Sequence, residues 1–209
     1  MQNVHVVDHP FITDSLAHLR DKTTELKKFR FHSDQLCKLL FAEAIRGLTF
    51  RDIEIETPLE KTKVKKLHDE VIVVPVLRSG IAMLFGALEF LPKSKVGFVG
   101  LARDEKTAIA SEYYWKLPDI TRNSVVIVTD PMLATGGSIA HVLRRVTKEQ
   151  AKEVRVVCVV AAPEGLSAVA QEFPTVQIFT AAIDDHLNDK SYIVPGLGDY
   201  GDRYFGTTN

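Results

Sequence analysis

From Val71 onward the chain alternates between short, almost unbroken apolar runs and stretches in which apolar residues recur every three or four positions. The runs, rich in Val and Ile, are Glu70–Val76, Lys95–Leu101, Ser124–Thr129, Val154–Ala161 and Val176–Ala182. They read as strands buried on both faces. Between them, Ile81–Phe90, the stretch carrying Ile139, Val142, Leu143 and Val146, and Glu164–Phe173 have helical spacing. Near-continuous strands separated by helices predict an α/β fold with a mostly parallel sheet flanked by helices. The first fifty residues have a different texture. They hold two helical patterns, about Phe11–Arg20 and Ser33–Arg46, the second stopped at Gly47 as helix ends often are. Ile53 and Ile55 alternate with charged residues, as in an exposed or edge strand, and the last twenty residues, rich in Gly and Asp, show no helical period.

Composition narrows the picture without changing it. The chain has 209 residues, 45% hydrophobic, with 26 basic side chains against 27 acidic ones. At about 150 residues per domain this predicts a single domain over 1–209. Within it, about 1–60 forms a helical and β arm, about 70–182 the core and about 183–209 a C-terminal lobe. A net charge of −1 gives no general attraction to nucleic acid or anionic lipid. Apolar runs such as Ile81–Leu88 fall far short of the roughly 18–20 residues that span a bilayer. The N-terminal segment has neither the basic nor the apolar region of a secretory signal, so a soluble, cytoplasmic protein is expected. Cys37 and Cys158 lie far apart in apolar surroundings and read as buried thiols. Lys61, Lys63, Lys65 and Lys66 form the one basic cluster, but Glu54, Glu56, Glu60, Asp69 and Glu70 surround it. It is expected to be a solvated turn between two strands.

Two glycine-rich segments bear on chemistry. Gly196-Leu-Gly198-Asp-Tyr-Gly201 matches the spacing of a dinucleotide-binding loop. That loop must open a helix and be followed, roughly 20 residues on, by an acid for the ribose. Too little chain follows Gly201 for a βαβ unit or for that acid, and no P-loop pattern occurs. The other segment is Val125-Val-Ile-Val-Thr-Asp130-Pro131-Met132-Leu133-Ala134-Thr135-Gly136-Gly137-Ser138. It reads as a strand, an Asp at its C-terminal end, a short loop and a helix. Glycines and hydroxyls just before a helix let a phosphate approach backbone N–H groups, and a carboxylate upstream can meet the hydroxyls of an attached ribose.

Residues 130–138 closely resemble the phosphoribosyl-diphosphate loop of uracil phosphoribosyltransferases. Val74-Pro-Val-Leu-Arg78-Ser79-Gly80 resembles that family's pyrophosphate loop, and Ala161-Ala-Pro-Glu-Gly165 its next strand-to-helix junction. Tyr192-Ile193-Val-Pro-Gly-Leu-Gly198-Asp199-Tyr200-Gly-Asp, followed by Phe205-Gly-Thr207, is similar to its C-terminal uracil hood. The resemblance spans essentially the whole chain, with the motifs in the family's order. It implies a type I phosphoribosyltransferase-like fold with an N-terminal helical arm and a C-terminal hood. The implied reaction is transfer of the ribosyl 5-phosphate of phosphoribosyl diphosphate to uracil, giving UMP and diphosphate in pyrimidine salvage.

By the same resemblance, Ala134–Ser138 hold the 5-phosphate and Asp130 meets the ribose hydroxyls, directly or through metal-bound water. Arg78, Ser79, Gly80 and Arg103 take the diphosphate, with Asp199 near it. Backbone groups of Ile193 and Gly198–Tyr200 read uracil. Mg²⁺ is expected on the diphosphate, without confident direct ligation by the protein, as hard oxygen donors suit it. Self-association is expected, and GTP activates some relatives, although no segment here marks a GTP site. There are departures. Thr129-Asp130 has a single acid where many phosphoribosyltransferases have two, which favours uracil over purine bases. Lys106–Glu112 departs from the family's usual segment, which bears on closure of the Arg103 loop. Asp184-Asp185-His186 fits no metal spacing and reads as a polar corner. Against the enzyme stands a regulator that uses this fold to sense nucleotides and bind RNA or DNA with little catalysis. The lack of a basic face argues against it. Hypoxanthine, guanine or orotate as the base is a third reading, opposed by the single acid and the uracil-like hood.

Overall fold

A computed structural model of the protein describes residues 3–103 and 110–207. In chain order the elements begin with β1 (Val4–Val6), α1 (Pro10–Arg20), α2 (Leu26–Ala44), β2 (Phe50–Glu56) and β3 (Lys61–Leu67). Next come β4 (Glu70–Leu77), α3 (Ile81–Phe90), β5 (Lys95–Val96), β6 (Phe98–Arg103), β7 (Ala110–Lys116) and β8 (Ser124–Thr129). They are followed by β9 (Met132–Leu133), α4 (Gly137–Val146), β10 (Glu153–Ala161), α5 (Pro163–Glu172) and β11 (Gln177–Ile183). The chain ends with β12 (His186–Leu187), β13 (Ile193–Val194) and α6 (Tyr200–Phe205).

The main sheet runs β1-β11-β10-β8-β4-β6-β7, with β5 beside β4 and β9 beside β10. All its pairings are parallel except β6 with β7. The central strands β4, β8 and β10 are buried on both faces, which is why they read as continuous apolar runs. Alternation sorts their side chains. Val71, Val73, Val125, Ile127 and Val157 pack with Leu36, Leu40 and Phe41 of α2 and Met83 of α3. Ile72, Val74, Val126, Val128 and Val156 pack with Val142 and Leu143 of α4 and Leu166 of α5. The chain order matters for function. After β4 it crosses to β6 on one side and then returns to place β8 on the other, with Pro75 opposite Thr129. The C-terminal ends of β4 and β8 therefore flank the point where strand order reverses, where open α/β sheets bind ligands.

Several elements differ from the sequence pattern. The final segment contains a helix, α6, capped by Asp199, whose Oδ1 accepts from the Asp202 N–H at 2.9 Å, and ended by Gly206 at φ +76°. Its six residues are too few to show a period. The lysine cluster is a strand and not a turn: β3 pairs antiparallel with β2, setting Lys61, Lys63 and Lys65 opposite Glu56, Glu54 and Asp52. Lys95–Leu101 splits at Gly97, whose N–H donates to Val73 at 3.0 Å as the chain steps sideways. α2 starts earlier than Ser33, because Lys27, Lys28 and Arg30 hide the buried Phe29 that belongs to its stripe. β1 and β7 are sheet edges, too short or too mixed in polarity to stand out. β7 is tied to α4 through Glu112, which accepts from Arg145 at 2.6 Å. Among the described residues no helix is long and apolar enough to cross a membrane.

Candidate active site

The site is assembled by the loops that leave β4 and β8. After a cis peptide at Leu77–Arg78, Ser79 and Gly80 turn the chain into α3. A Cβ on Gly80 would lie 2.6 Å from the carbonyl oxygen of Thr129, so only glycine lets this turn rest on the end of β8. That contact brings the Ser79 hydroxyl to 3.1 Å from Oδ1 of Asp130. Asp130 is 7% exposed, and its own N–H donates to the carbonyl of Val157 at 3.3 Å. Taking this carboxylate out of water costs desolvation, which its hydrogen bond with Ser79 partly offsets.

Past Asp130, β9 briefly joins β10, with Met132 beside Val160 and Leu133 beside Ala161. Gly136 then adopts φ +81° and serves as N-cap of α4. It has no side chain to cap the first turn, and Thr135 Oγ1 accepts only a long bond, 3.4 Å, from the Gly137 N–H. The positive end of α4 therefore opens onto the loop, while Arg144 and Arg145 complement its other end. Gly165 of α5 packs so tightly behind the loop that a Cβ there would collide with the Ala134 carbonyl.

The C-terminal segment closes the site from above and is held by α1 and α2. Arg20 donates to both oxygens of Asp184, at 2.9 and 2.5 Å, and to the Gly196 carbonyl at 2.7 Å. Asp184 also accepts from the Gly196 N–H at 2.8 Å. Arg203 reaches back to the carbonyls of Leu19, Leu197 and Asp21 and lies over the Phe29 ring. Tyr200 donates its hydroxyl to Ser33 at 2.7 Å, and Tyr204 donates to Asp34 at 2.8 Å. At the front, Arg78 donates to Asp202 at 2.8 Å. The Thr207 hydroxyl, and after it Arg78, hold the Asp202 carboxyl below the usual carboxylate range.

These parts enclose a cleft of about 540 Å³. Arg78, Ser79, Asp130, Met132, Ala134, Ser138, Ile193, Gly198, Asp199 and Tyr200 line it. The family model for uracil phosphoribosyltransferase matches residues 6–207. The chain belongs to the uracil phosphoribosyltransferase family. A uracil phosphoribosyltransferase of Shouchella clausii is 49% identical, covering 99% of this chain and all of its own. One from Bacillus cereus is 47% identical over the same span. Among solved structures, the AQ2163 protein of Aquifex aeolicus is 37% identical with a TM-score of 0.93, covering 98% of this chain and 99% of its own. An adenine phosphoribosyltransferase of Trypanosoma brucei, 12% identical with a TM-score of 0.57 and covering 88% of this chain and 84% of its own, shares the fold.

Gly80 sits beneath the cleft, against β8. Pro131, Leu133, Thr135 and Gly136 lead from β8 through β9 to the start of α4, of which Gly137 is the first residue. Tyr200 has a buried ring whose hydroxyl is spent on Ser33, so what it offers the cleft is backbone. Asp199 lines the cleft but also caps α6. Arg103 ends β6, and its side chain and residues 104–109 lie outside the described residues. Asp184 is the buried partner of Arg20, a structural ion pair at the base of the hood. Lys190 and Ser191, also in the lining, lie outside every motif of the sequence, whereas Tyr192 and Gly201 of the lining and Asp202, which faces Arg78, fall inside the hood motif without a role that the sequence marks. A short motif marks its own residues but carries no signal for the distant partner that folds against it.

Proposed function

We propose that the protein transfers the 5-phosphoribosyl group of phosphoribosyl diphosphate to N1 of uracil, yielding UMP and diphosphate. The observation that carries this reading is the convergence, in one cleft, of the α4 loop, the buried Asp130 and the hood backbone. The uncapped start of α4, with Thr135 and Ser138, would cradle the 5-phosphate. Asp130, steadied by Ser79, would hold the ribose hydroxyls and offset positive charge as the anomeric carbon loses its leaving group. Arg78 is 60% exposed and would exchange Asp202 for the diphosphate, a better bidentate partner. Arg103, at the end of β6, would join it. Uracil presents an O4 acceptor and an N3–H donor, and one N–H and one carbonyl from Ile193 and Gly198–Tyr200 would read that pattern. In such a reaction positioning and electrostatics supply most of the rate.

Mg²⁺ belongs to the same proposal. The described lining of the cleft offers carboxylate and hydroxyl oxygens, Asp130 and Asp199 among them, and neither His nor Cys, a donor set that suits a hard cation. When bound, the ion would offset charge on the leaving diphosphate. Self-association and response to GTP rest on family likeness alone.

The test is formation of UMP and diphosphate from phosphoribosyl diphosphate with Mg²⁺, offering uracil, cytosine, hypoxanthine, guanine and orotate in parallel, with and without GTP. Turnover confined to uracil supports the reading. Turnover on another base overturns the role given to the hood. Absence of turnover with intact diphosphate binding overturns the enzyme and favours a nucleotide-sensing regulator.

A further inference from the structure

α1 and α2 carry a cluster of ligand-bearing side chains that the cleft does not use. Asp14 and His18 stand four residues apart on α1, so helix geometry places them on one face. His32 meets them from α2. One ligand atom from each of the three lies within 4.8 Å of the other two. The His18 and His32 rings stack with centroids 4.0 Å apart. His32 is 7% exposed, and its Nδ1 lies 3.2 Å from the hydroxyl of the fully buried Ser15. That contact occupies one ring nitrogen and leaves Nε2 for another partner, the way an outer hydrogen bond orients a metal-binding histidine. Asp14 is exposed and His18 partly so, which gives an ion a path in from solvent.

We propose that Asp14, His18 and His32 form a site for one divalent transition-metal ion of the zinc class, separate from the nucleotide cleft. Two imidazoles and one carboxylate are the donor set that zinc takes and that magnesium does not favour. Ligands on a tetrahedral zinc sit about 3.3 Å apart, given metal–nitrogen bonds of about 2.0 Å. Closing from 4.8 Å requires the exposed Asp14 and the partly exposed His18 to rotate toward the buried His32, with the His18 ring turning out of its stack so that its nitrogen faces the ion. The three residues leave a fourth position for water. Cys37 and Cys158 are fully buried and do not compete for the ion.

The position gives the ion a mechanical consequence. His18 is followed directly by Leu19 and Arg20, and His32 by Ser33. These residues hold the hood through Arg203, Gly196 and Tyr200. An ion bridging His18 to His32 ties together the two helices on which the hood rests. Its effect on catalysis depends on the transferase reading above, whereas ion binding and stability do not.

The experiment uses the full chain stripped with a chelator, titrated with Zn²⁺ by calorimetry and with Co²⁺ by visible absorption, with Mg²⁺ as control. One Zn²⁺ per chain is expected, together with a rise in melting temperature and a Co²⁺ spectrum lacking a thiolate charge-transfer band. His18→Gln should weaken binding at least tenfold and abolish the thermal shift. Ser15→Ala should weaken it about tenfold, and Asp14→Asn by a smaller factor. The melting temperatures of the metal-free Asp14 and His18 variants are expected to match that of the metal-free native chain, since both positions are at least partly exposed. Zinc affinity unchanged by His18→Gln would assign the ion to one of the other histidines and overturn the proposal. So would zinc binding no tighter than that of Mg²⁺.

Discussion

Asp130 sets a nearly buried carboxylate in the lining of the cleft. Its place at the end of a Val-rich strand is a local property, but its near-burial and its contact with Ser79 depend on β4 lying alongside. Asp130→Asn keeps the shape and can still accept the Ser79 hydrogen bond while removing the charge. Turnover is expected to fall at least about tenfold with the far-ultraviolet circular dichroism unchanged. Arg78→Ala should do the same, and steady-state rates near normal would remove that residue from the mechanism. Asp202, opposite Arg78, supplies a pH test. Its folded carboxyl titrates below the usual range because Thr207 and then Arg78 hold it. The unfolded chain therefore binds that proton more readily, so the contribution to stability is complete above about pH 4 and disappears as pH falls through the lower folded value. Melting curves of the native chain and Asp202→Asn should differ at about pH 6 and draw together as pH is lowered below about 4. A constant difference would show that the contact is not ionic.

At the scale of elements, α3 and β8 occupy the bounds that the pattern predicts, because each is an almost continuous apolar run. β1, β7 and α6 escaped notice for a common reason. A short or edge element needs only one apolar face, and its neighbours supply the rest of its order. The hood illustrates this. It is held by α1 and α2, and Arg203 alone reaches three carbonyls across that junction. Arg203→Ala should raise the KM for uracil about tenfold while the KM for phosphoribosyl diphosphate moves much less, since charged hydrogen bonds of this kind contribute about 1.5–3 kcal/mol each. Equal changes in both constants would mean that the hood does not act as a separate unit. The junction of α5 with the loop before α4 is the second such contact. Gly165→Ala would drive a methyl group into the Ala134 carbonyl and should lower unfolding stability by about 1–3 kcal/mol, read from a denaturant midpoint.

Across the whole molecule, one sheet organises two apolar layers, and both cysteines sit inside them. Cys37 lies with α2 on one face and Cys158 on the other. Burial pushes the Cys158 thiol up to about 12 and raises that of Cys37 as well. Both should resist a thiol reagent in the native protein and titrate fully in denaturant; rapid native-state reaction would reveal local opening of a layer. The sequence by itself determined the α/β class, the alternation of buried strands and helices, and the loop from Asp130 to Ser138, because these depend on periodicity and on residue types a few positions apart. It also carried the likeness to the family. Which residues meet is set by the folded path of the chain. Arg78 finds Asp202 across 124 positions, and Arg20 finds Asp184 across 164. Such pairings follow from the order of strands in the sheet and the path of the chain back over α1 and α2, and no local pattern of side chains encodes that path.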